Sequence, residues 1–444
     1  MNALRSVATV ARPLPRGAAS LIVVMVLFFL LSLVAAYTGR NLIFEQRTSV
    51  NQFRAAQAFE AADAGVEWAL AMLNGGRIIN NCLEATATTA ETSFRQRYLN
   101  IDPVTGMVTP RMTAAGGMMT PSCVFNGTNW VCSCPNDAAL VTVAGLGSGI
   151  YPAFRIRFVS TNVARPGVIG IESQGCTRLD VACLGFPATA LESEGRALVT
   201  AFIGLKPALA TPPAAALTVS GTVAAGAVVN AYNTEADRGG LAFHVGNPGG
   251  AVIDISGFTL RGLPGTPSSA AAVLTDTSLT ALTAAPNRIL PTILGTWPNT
   301  YQNQPAVVVP FVCPPGDCRV ALASQVALNP GRIFWIQGDL ILSTAGDIGS
   351  LPDPANPSAA GPAMLVVTGR VRVTPPLVPR IFGFVYSQDG DWLGNVQIQG
   401  AAFIEGNLGA TAAPTVNLVG SVMDAMRMQS GSFVRIPGSW KDFE

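Results

Sequence analysis

Residues able to do chemistry are few and scattered. His244 is the only histidine in 444 residues. That excludes a multi-histidine metal site and leaves one candidate base for any Ser-His pair. Neither G-x-S-x-G nor G-x-x-x-x-G-K-[ST] occurs, so the nucleophile elbow and the phosphate-binding loop lack their signatures. A structural role with a satisfied imidazole is the simpler expectation for His244. Asp389-Gly390-Asp391 and the loop around Asp353 could supply carboxylates to glycoside cleavage or to calcium; solvated turn carboxylates are the plainer reading. No catalytic, cofactor or metal residue is therefore assigned, and the chain reads as a non-enzyme.

Cysteines are the richer set. Eight occur, at Cys82, Cys123, Cys132, Cys134, Cys176, Cys183, Cys313 and Cys318. Their even number and their position beyond the apolar segment favour disulfides in an oxidising compartment. Cys132-Ser133-Cys134 is too tight for a C-x-x-C zinc or redox pair. Sequence alone does not give the connectivity, although the Cys313-Pro-Pro-Gly-Asp-Cys318 loop predicts a local bridge.

An exported location needs an element that takes the chain out of the cytoplasm. No charged residue lies between Ala18 and Gly39, and Leu21 to Ala36 is interrupted only by Ser32. About twenty helical residues cross the roughly 30 Å hydrocarbon layer. Twelve Leu, Ile, Val and Phe residues favour insertion by roughly 5 kcal/mol. A cleaved signal peptide would have a shorter apolar run and an A-x-A-like site, which Ala35-Ala36-Tyr37-Thr38 does not provide. Arg5, Arg12 and Arg16 precede the span, so the positive-inside rule puts the N-terminus in the cytoplasm and the body outside the inner membrane.

Beyond the span the helical pattern continues. From Arg40 to Asn74 there is no proline and one glycine, Gly65. One apolar row is Phe59, Ala62, Val66, Leu70 and Leu73; a second is Ala61, Ala64, Trp68 and Met72. Glu60, Asp63 and Glu67 form a separate arc. Two rows imply two partners, such as the protein's own body and neighbouring subunits. Asn74-Gly75-Gly76 is a helix stop. A single rod from Ala18 to Asn74 would be about 85 Å long; the alternative is two helices broken near Gly39.

These residues carry a resemblance. Arg16-Gly17, Leu21-Ile22-Val23-Val24, Glu45-Gln46-Arg47 and the string Gln57-Ala58-Phe59-Glu60-Ala61-Ala62-Asp63-Ala64-Gly65 resemble the N-terminal region of PilX-type minor pilins. The resemblance covers about residues 16–74. It implies processing by a prepilin peptidase between Gly17 and Ala18. It also implies other minor and major pilins as partners, a possible tip adhesin, and a final place in a periplasmic or extracellular pilus. Two positions depart from the major-pilin pattern: Ala18 replaces the usual Phe after the cut, and Ile22 replaces the Glu usual at the fifth mature position.

The overall expectation is α+β: a long N-terminal transmembrane helix followed by a β-rich body. The divisions read as a leader at 1–17, a transmembrane and amphipathic helix at 18–76, a cysteine-rich β domain at 77–213 and a glycine-punctuated β-rich domain at 214–444. Strand-like runs at Phe154–Val159, Val168–Glu172 and Ala197–Leu205 should pair antiparallel over the outer half of the helix. After Thr211-Pro212-Pro213, short runs end in glycine at Leu217–Gly221, Val252–Gly257, Ile333–Gly338, Met364–Gly369, Val396–Gly400 and Val416–Gly420. They suit a parallel β-solenoid, with an antiparallel sandwich as the alternative and a helical insertion near 268–304. Charged residues make up only 12% of the chain and net charge is +1, with no basic stripe to bind nucleic acid. Two functions fit: a minor pilin in an initiating or tip complex, or a membrane-anchored surface solenoid that binds or cleaves polysaccharide.

Overall fold

The computed structural model describes residues 16–85, 91–146, 149–161, 165–187, 195–247, 249–250, 252–265, 272–283, 289–295, 300, 302–303, 308–353 and 361–442. The leader arginines Arg5 and Arg12, and parts of the 268–304 segment, lie outside these residues.

Helix α1 runs unbroken from Arg16 to Leu73, 58 residues, about 87 Å at 1.5 Å per residue. Nothing lies within 4 Å of a Cβ built on Gly39, and the helix passes through it without interruption. Short helix α2 (Phe94–Tyr98) follows, entered through a capping box in which Ser93 and Gln96 satisfy each other's backbone N–H groups.

Strands β1 (Leu99–Ile101) and β2 (Val108–Pro110) form a small hairpin-like pair. Then come β3 (Ser122–Phe125), β4 (Trp130–Ser133), β5 (Ala153–Val159), β6 (Val168–Cys176) and β7 (Arg196–Pro207). These five join antiparallel in the order β7-β6-β5-β3-β4. Alternation decides the face. Phe154, Ile156 and Phe158 on β5, Ile169 and Ile171 on β6, and Val199, Ala201 and Ile203 on β7 turn inward to one core shared with α1.

The second sheet is parallel throughout. Its first strands are β8 (Leu217–Val219), β9 (Val229–Tyr232), β10 (Phe243–Val245), β11 (Phe258–Arg261) and β12 (Val273–Thr275). Helices α3 (Ser278–Thr283) and α4 (Ile289–Leu294) follow. The chain resumes with β13 (Val308–Val312), helix α5 (Arg319–Leu328), β14 (Ile333–Gln337), β15 (Leu340–Leu342) and β16 (Asp347–Ile348). It continues through β17 (Ala363–Val367), β18 (Val371–Val373), β19 (Arg380–Ser387), β20 (Gln397–Ile404) and β21 (Thr415–Asn417).

The main ladder reads β13-β14-β17-β19-β20, after which β20 splits: its first half pairs with β21 and its second with β8. A second parallel ladder, β15 with β18, continues through bridges at Leu393 and Leu408. Two ladders joined by short turns make a coiled, solenoid-like stack, and the sandwich alternative is set aside. Pro310 lies in β13, which among the described strands pairs with β14 alone; such an edge tolerates a missing N–H. Val252–Gly257, although apolar and glycine-terminated, is not a strand: β11 begins only at Phe258.

Helix α6 (Gly420–Gln429) then joins the two sheets, packing on β19 and β20 on one side and β7 on the other. Its first N–H, at Gly420, donates to the Glu235 carboxylate at 2.8 and 2.9 Å, where an anion also favours the helix dipole. The last strand, β22 (Gly431–Arg435), leaves the parallel stack and pairs antiparallel with β7. The first sheet is therefore completed by residues from the far end of the chain.

Candidate functional site: the rod and its seat

The helix has two unlike halves. From Leu21 to Phe53 its large apolar side chains are exposed on every side, Phe28 by 74% and Phe44 by 54%. An apolar surface of this extent needs a bilayer or other apolar helices around it. Within the uncharged span two hydroxyls bond back to the helix: Ser32 Oγ donates to Phe29 O at 2.8 Å and Thr38 Oγ1 to Val34 O at 3.0 Å, as hydrocarbon surroundings require.

The outer half is seated. Ala58, Ala61, Ala62, Val66, Ala69 and Leu73 are buried against β5, β6 and β7. Phe59, Trp68, Leu70 and Met72 pack half-buried on the same core. Both apolar rows thus meet the protein's own body, which corrects the expectation that one of them awaits another subunit. The part of the helix left exposed is the inner half.

Small residues set the closeness of this seat. A Cβ built on Gly175 of β6 would stand 2.1 Å from Ala58 O and 2.5 Å from Ala62 N. A Cβ on Gly65 would stand 2.2 Å from Ser173 Oγ. At Gly175 the sheet backbone touches that of the helix, at Gly65 the helix makes room for the Ser173 and Phe154 side chains, and alanines at 58, 61, 62 and 69 keep the rest of the stripe narrow.

Polar clamps fix the end of the rod. Asn74 Nδ2 donates to Phe433 O and accepts from Phe433 N at Oδ1, both at 2.8 Å, so its amide acts as one more strand partner for β22. Arg95 Nε donates to Leu73 O at 3.3 Å. Glu67 of the acidic arc forms an ion pair with Arg435. None of these pairings was visible in sequence: Asn74 and Phe433 lie 359 positions apart, and the only local signal was Asn74 as a helix stop.

Disulfides brace both the part around this seat and the parallel stack. Cys82–Cys134, Cys123–Cys132, Cys176–Cys183 and Cys313–Cys318 pair all eight cysteines. Cys123–Cys132 crosses the β3–β4 pair in register, Cys176–Cys183 closes the loop after β6, and Cys313–Cys318 closes the loop between β13 and α5. Gly17 and Ala18 lie in the first turns of α1.

The other chemistry-bearing residues are not brought together. His244 sits on β10, its Nε2 3.5 Å from Asp276 Oδ2. That is too long for a strong hydrogen bond, and the Nε2 has no hydrogen-bond partner among the described residues. Burial pulls the imidazole pKa below its ordinary value despite the opposing pull of Asp276. Asp389 Oδ1 accepts from Asp391 N at 2.9 Å, a turn bond. Its Oδ2 lies 3.8 Å from Arg370 Nε, as does Asp339 Oδ2. Among the described residues no group of three or more His, Cys, Asp or Glu residues is placed to hold a metal ion.

Residues 16–67 match the family model described as PilX N-terminal. The region matched is the rod, from its first turn to the middle of its seat. No curated relative matches the sequence. Among solved structures, the chain is similar to the competence-associated pilin ComZ from Thermus thermophilus, with 11% identity over 88% of this chain and 98% of that one, at a TM-score of 0.21. A likeness at that score carries no argument about fold or function.

Proposed function

We propose that this chain, whose rod is of the PilX N-terminal type, is a minor pilin-like subunit for type IV pilus assembly, structural rather than catalytic, working in an initiating or tip complex. The observation that carries the reading is the division of α1: an inner half that is apolar and exposed all round, and an outer half locked into a large body. The inner half would first lie in the inner membrane and then among the rods of other minor and major pilins. Prepilin peptidase would cut between Gly17 and Ala18. A tip adhesin is the further partner that fits such a complex.

Size and charge favour a place at the tip. About 370 residues follow Asn74, giving a radius of gyration near 21 Å, which is bulky for a subunit repeated along a thin filament. Ile22 offers no carboxylate to pair with a neighbour's N-terminal amine, and a charge in the membrane is tolerated only with such a partner. This rod is better suited to starting a filament than to joining beneath earlier subunits. Quantitative mass spectrometry of sheared pili should find the protein at least tenfold below the major pilin, with its N-terminal peptide beginning at Ala18. Near-equal abundance would refute the tip placement, and a retained leader would refute the cut.

Orientation follows from Arg5, Arg12 and Arg16. A reporter active only in the periplasm should work when fused after Asn74. A silent fusion, with a cytoplasm-only reporter active at the same joint, reverses the topology. As building units we take the leader 1–17, the rod 18–76, a cysteine-rich sheet 77–213 that also uses β22, and the parallel stack from 214 with α3 and α4 as its insertion.

The parallel stack favours a second reading, an anchored solenoid that binds or cleaves polysaccharide. Against cleavage, Asp389 accepts a turn bond from Asp391 N and lies 3.8 Å from Arg370 Nε, an arrangement of one loop with its neighbour rather than of two carboxylates across a groove. Gene order separates the two readings: prepilin-like neighbours favour the first, sugar-metabolism enzymes the second.

A further inference from the structure

A cleft lies where the end of the rod, the first sheet and the parallel stack meet. Leu73, Gly75 and Gly76 form one wall, and Asn329, Pro330 and Gly331, from the loop between α5 and β14, form another. Arg95 stands in the middle, and beyond it the cleft continues to Asn100 and Arg111. Arg95, Arg111 and Arg332 line it, and among the described lining residues there is no aspartate or glutamate, although Glu84 Oε1 stands 3.8 Å from where a Cβ on Gly76 would be.

The two central arginines differ in how their charge is met. Arg95 donates from Nε to Leu73 O at 3.3 Å, from Nη1 to Gln429 O at 3.3 Å and from Nη2 to Gly431 O at 2.7 Å. Two of these carbonyls end α1 and α6, so helix dipoles offset part of its charge. Arg332 has no such arrangement. Its Nε is buried and without a hydrogen-bond partner among the described residues, and its Nη1 lies beside Gly76, 3.5 Å from where a Cβ would stand. Glu84 acts on it only through space. Burial draws the Arg332 pKa down to about 10, and burial followed by repulsion from Arg332 draws Arg95 to about 10. Buried charges in proteins are ordinarily paired, and a guanidinium fork matches the oxygens of phosphate or carboxylate.

We infer that this cleft binds a small oxyanion, a phosphate or a carboxylate, between Arg332 and Arg95. Arg332 precedes β14 of the stack, and Arg95 holds the rod and β22. An anion between them therefore ties the three parts of the body at one point and removes the repulsion between the two cations. The inference concerns the joint alone and stands whether or not the protein is a pilus subunit.

The test is thermal unfolding of the full-length protein in neutral detergent. Inorganic phosphate is titrated at constant ionic strength against sodium chloride, with acetate in a parallel series. The expected result is a saturable rise of a few degrees in phosphate, because a ligand that binds only the folded state stabilises it by mass action. A saturable rise in acetate alone assigns the site to carboxylates. Arg332→Gln should unfold in chloride at the same or a higher temperature than the unaltered protein, and should show no phosphate or acetate response. A response in the unaltered protein that does not saturate, or an identical one in Arg332→Gln, overturns the inference. Should Arg332→Gln fail to fold, calorimetric titration of the unaltered protein with phosphate and acetate decides: no saturable heat with either means no site.

Discussion

Replacing Gly175 by alanine is expected to lower stability by about 3–5 kcal/mol, an upper-range effect for a single added methyl group. The new Cβ would lie 2.1 Å from Ala58 O and 2.5 Å from Ala62 N. Both obstacles are helix backbone, so no side-chain rotation can make room. The rod must lift off β6, and the close-packed stripe of Ala62, Val66 and Ala69 then loses contacts with Phe154 and Ile171. Gly65→Ala is the instructive neighbour. Its Cβ meets Ser173 Oγ at 2.2 Å and Phe154 Cδ2 at 2.9 Å, both side-chain atoms, and alanine gains about 1 kcal/mol of helix propensity over glycine. A net loss of about 1–2 kcal/mol is expected there, partly recovered by Ser173→Ala. Gly39→Ala meets nothing within 4 Å and should be neutral or slightly stabilising. Denaturant unfolding of the three full-length variants in detergent checks the order. A Gly175→Ala protein as stable as Gly39→Ala would mean that the rod does not sit on β6 as described.

The parts of this fold that could be read from sequence are those encoded locally. The rod announces itself through an uncharged span joined to a proline-free stretch with helical spacing, and α1 runs from Arg16 to Leu73. Strands β5, β6 and β7 were legible as the apolar runs Phe154–Val159, Val168–Glu172 and Ala197–Leu205, and the last two extend further in the structure, to Cys176 and to Arg196–Pro207. The parallel stack is harder because its coils have no fixed length. Register partners lie 31 positions apart at Ile333 and Met364, 20 at Met364 and Phe384, and 17 at Phe384 and Ala401. The chain also enters the stack in its middle: Leu217 pairs with Ala402, a contact between the first and last coils that no local pattern specifies. Val252–Gly257 shows the converse error, a good strand pattern that finds no ladder. Apolar alternation reports a preference for burial, and pairing needs a partner edge that only the assembled stack provides.

The seat of the rod was legible by half. Its apolar rows at helical spacing showed which residues are buried, because spacing is a property of one element. They did not show that both rows share one partner, because that depends on the breadth of the sheet and on Phe94 and Tyr98 of α2 filling the same core. Gly65 was visible only as an exception in a helix, and its reason lies at Ser173 and Phe154. Asn74, Arg95 and Glu67 act on β22 or the residues before it, far along the chain. Long-range hydrogen bonds of this kind leave no periodic trace.

Removing the Cys82–Cys134 bridge should produce the second large loss. It joins residues 52 positions apart, and the chain-entropy model gives about 4 kcal/mol for a loop of that length. The bridges Cys123–Cys132, Cys176–Cys183 and Cys313–Cys318 span 9, 7 and 5 positions, for which the same model gives roughly 2–3 kcal/mol each. Position adds to the difference. Cys134 is fully buried; its N–H donates to Asn80 O at 2.7 Å and its carbonyl accepts from Arg97 Nη1 at 2.6 Å. Arg97 is itself buried and donates to Ile78 O and Glu91. The bridge thus holds the turn after the rod against β4, and without it a buried guanidinium loses the rigid frame that satisfies it. The double variant Cys82→Ser/Cys134→Ser should unfold at a clearly lower denaturant concentration than Cys313→Ser/Cys318→Ser, by about 1–2 kcal/mol more. It should also accumulate less in the cell, since losses of this size change the fraction unfolded and its degradation. Equal losses in the two double variants, or none in either, would mean that the 52-residue closure does not hold the end of the rod in place.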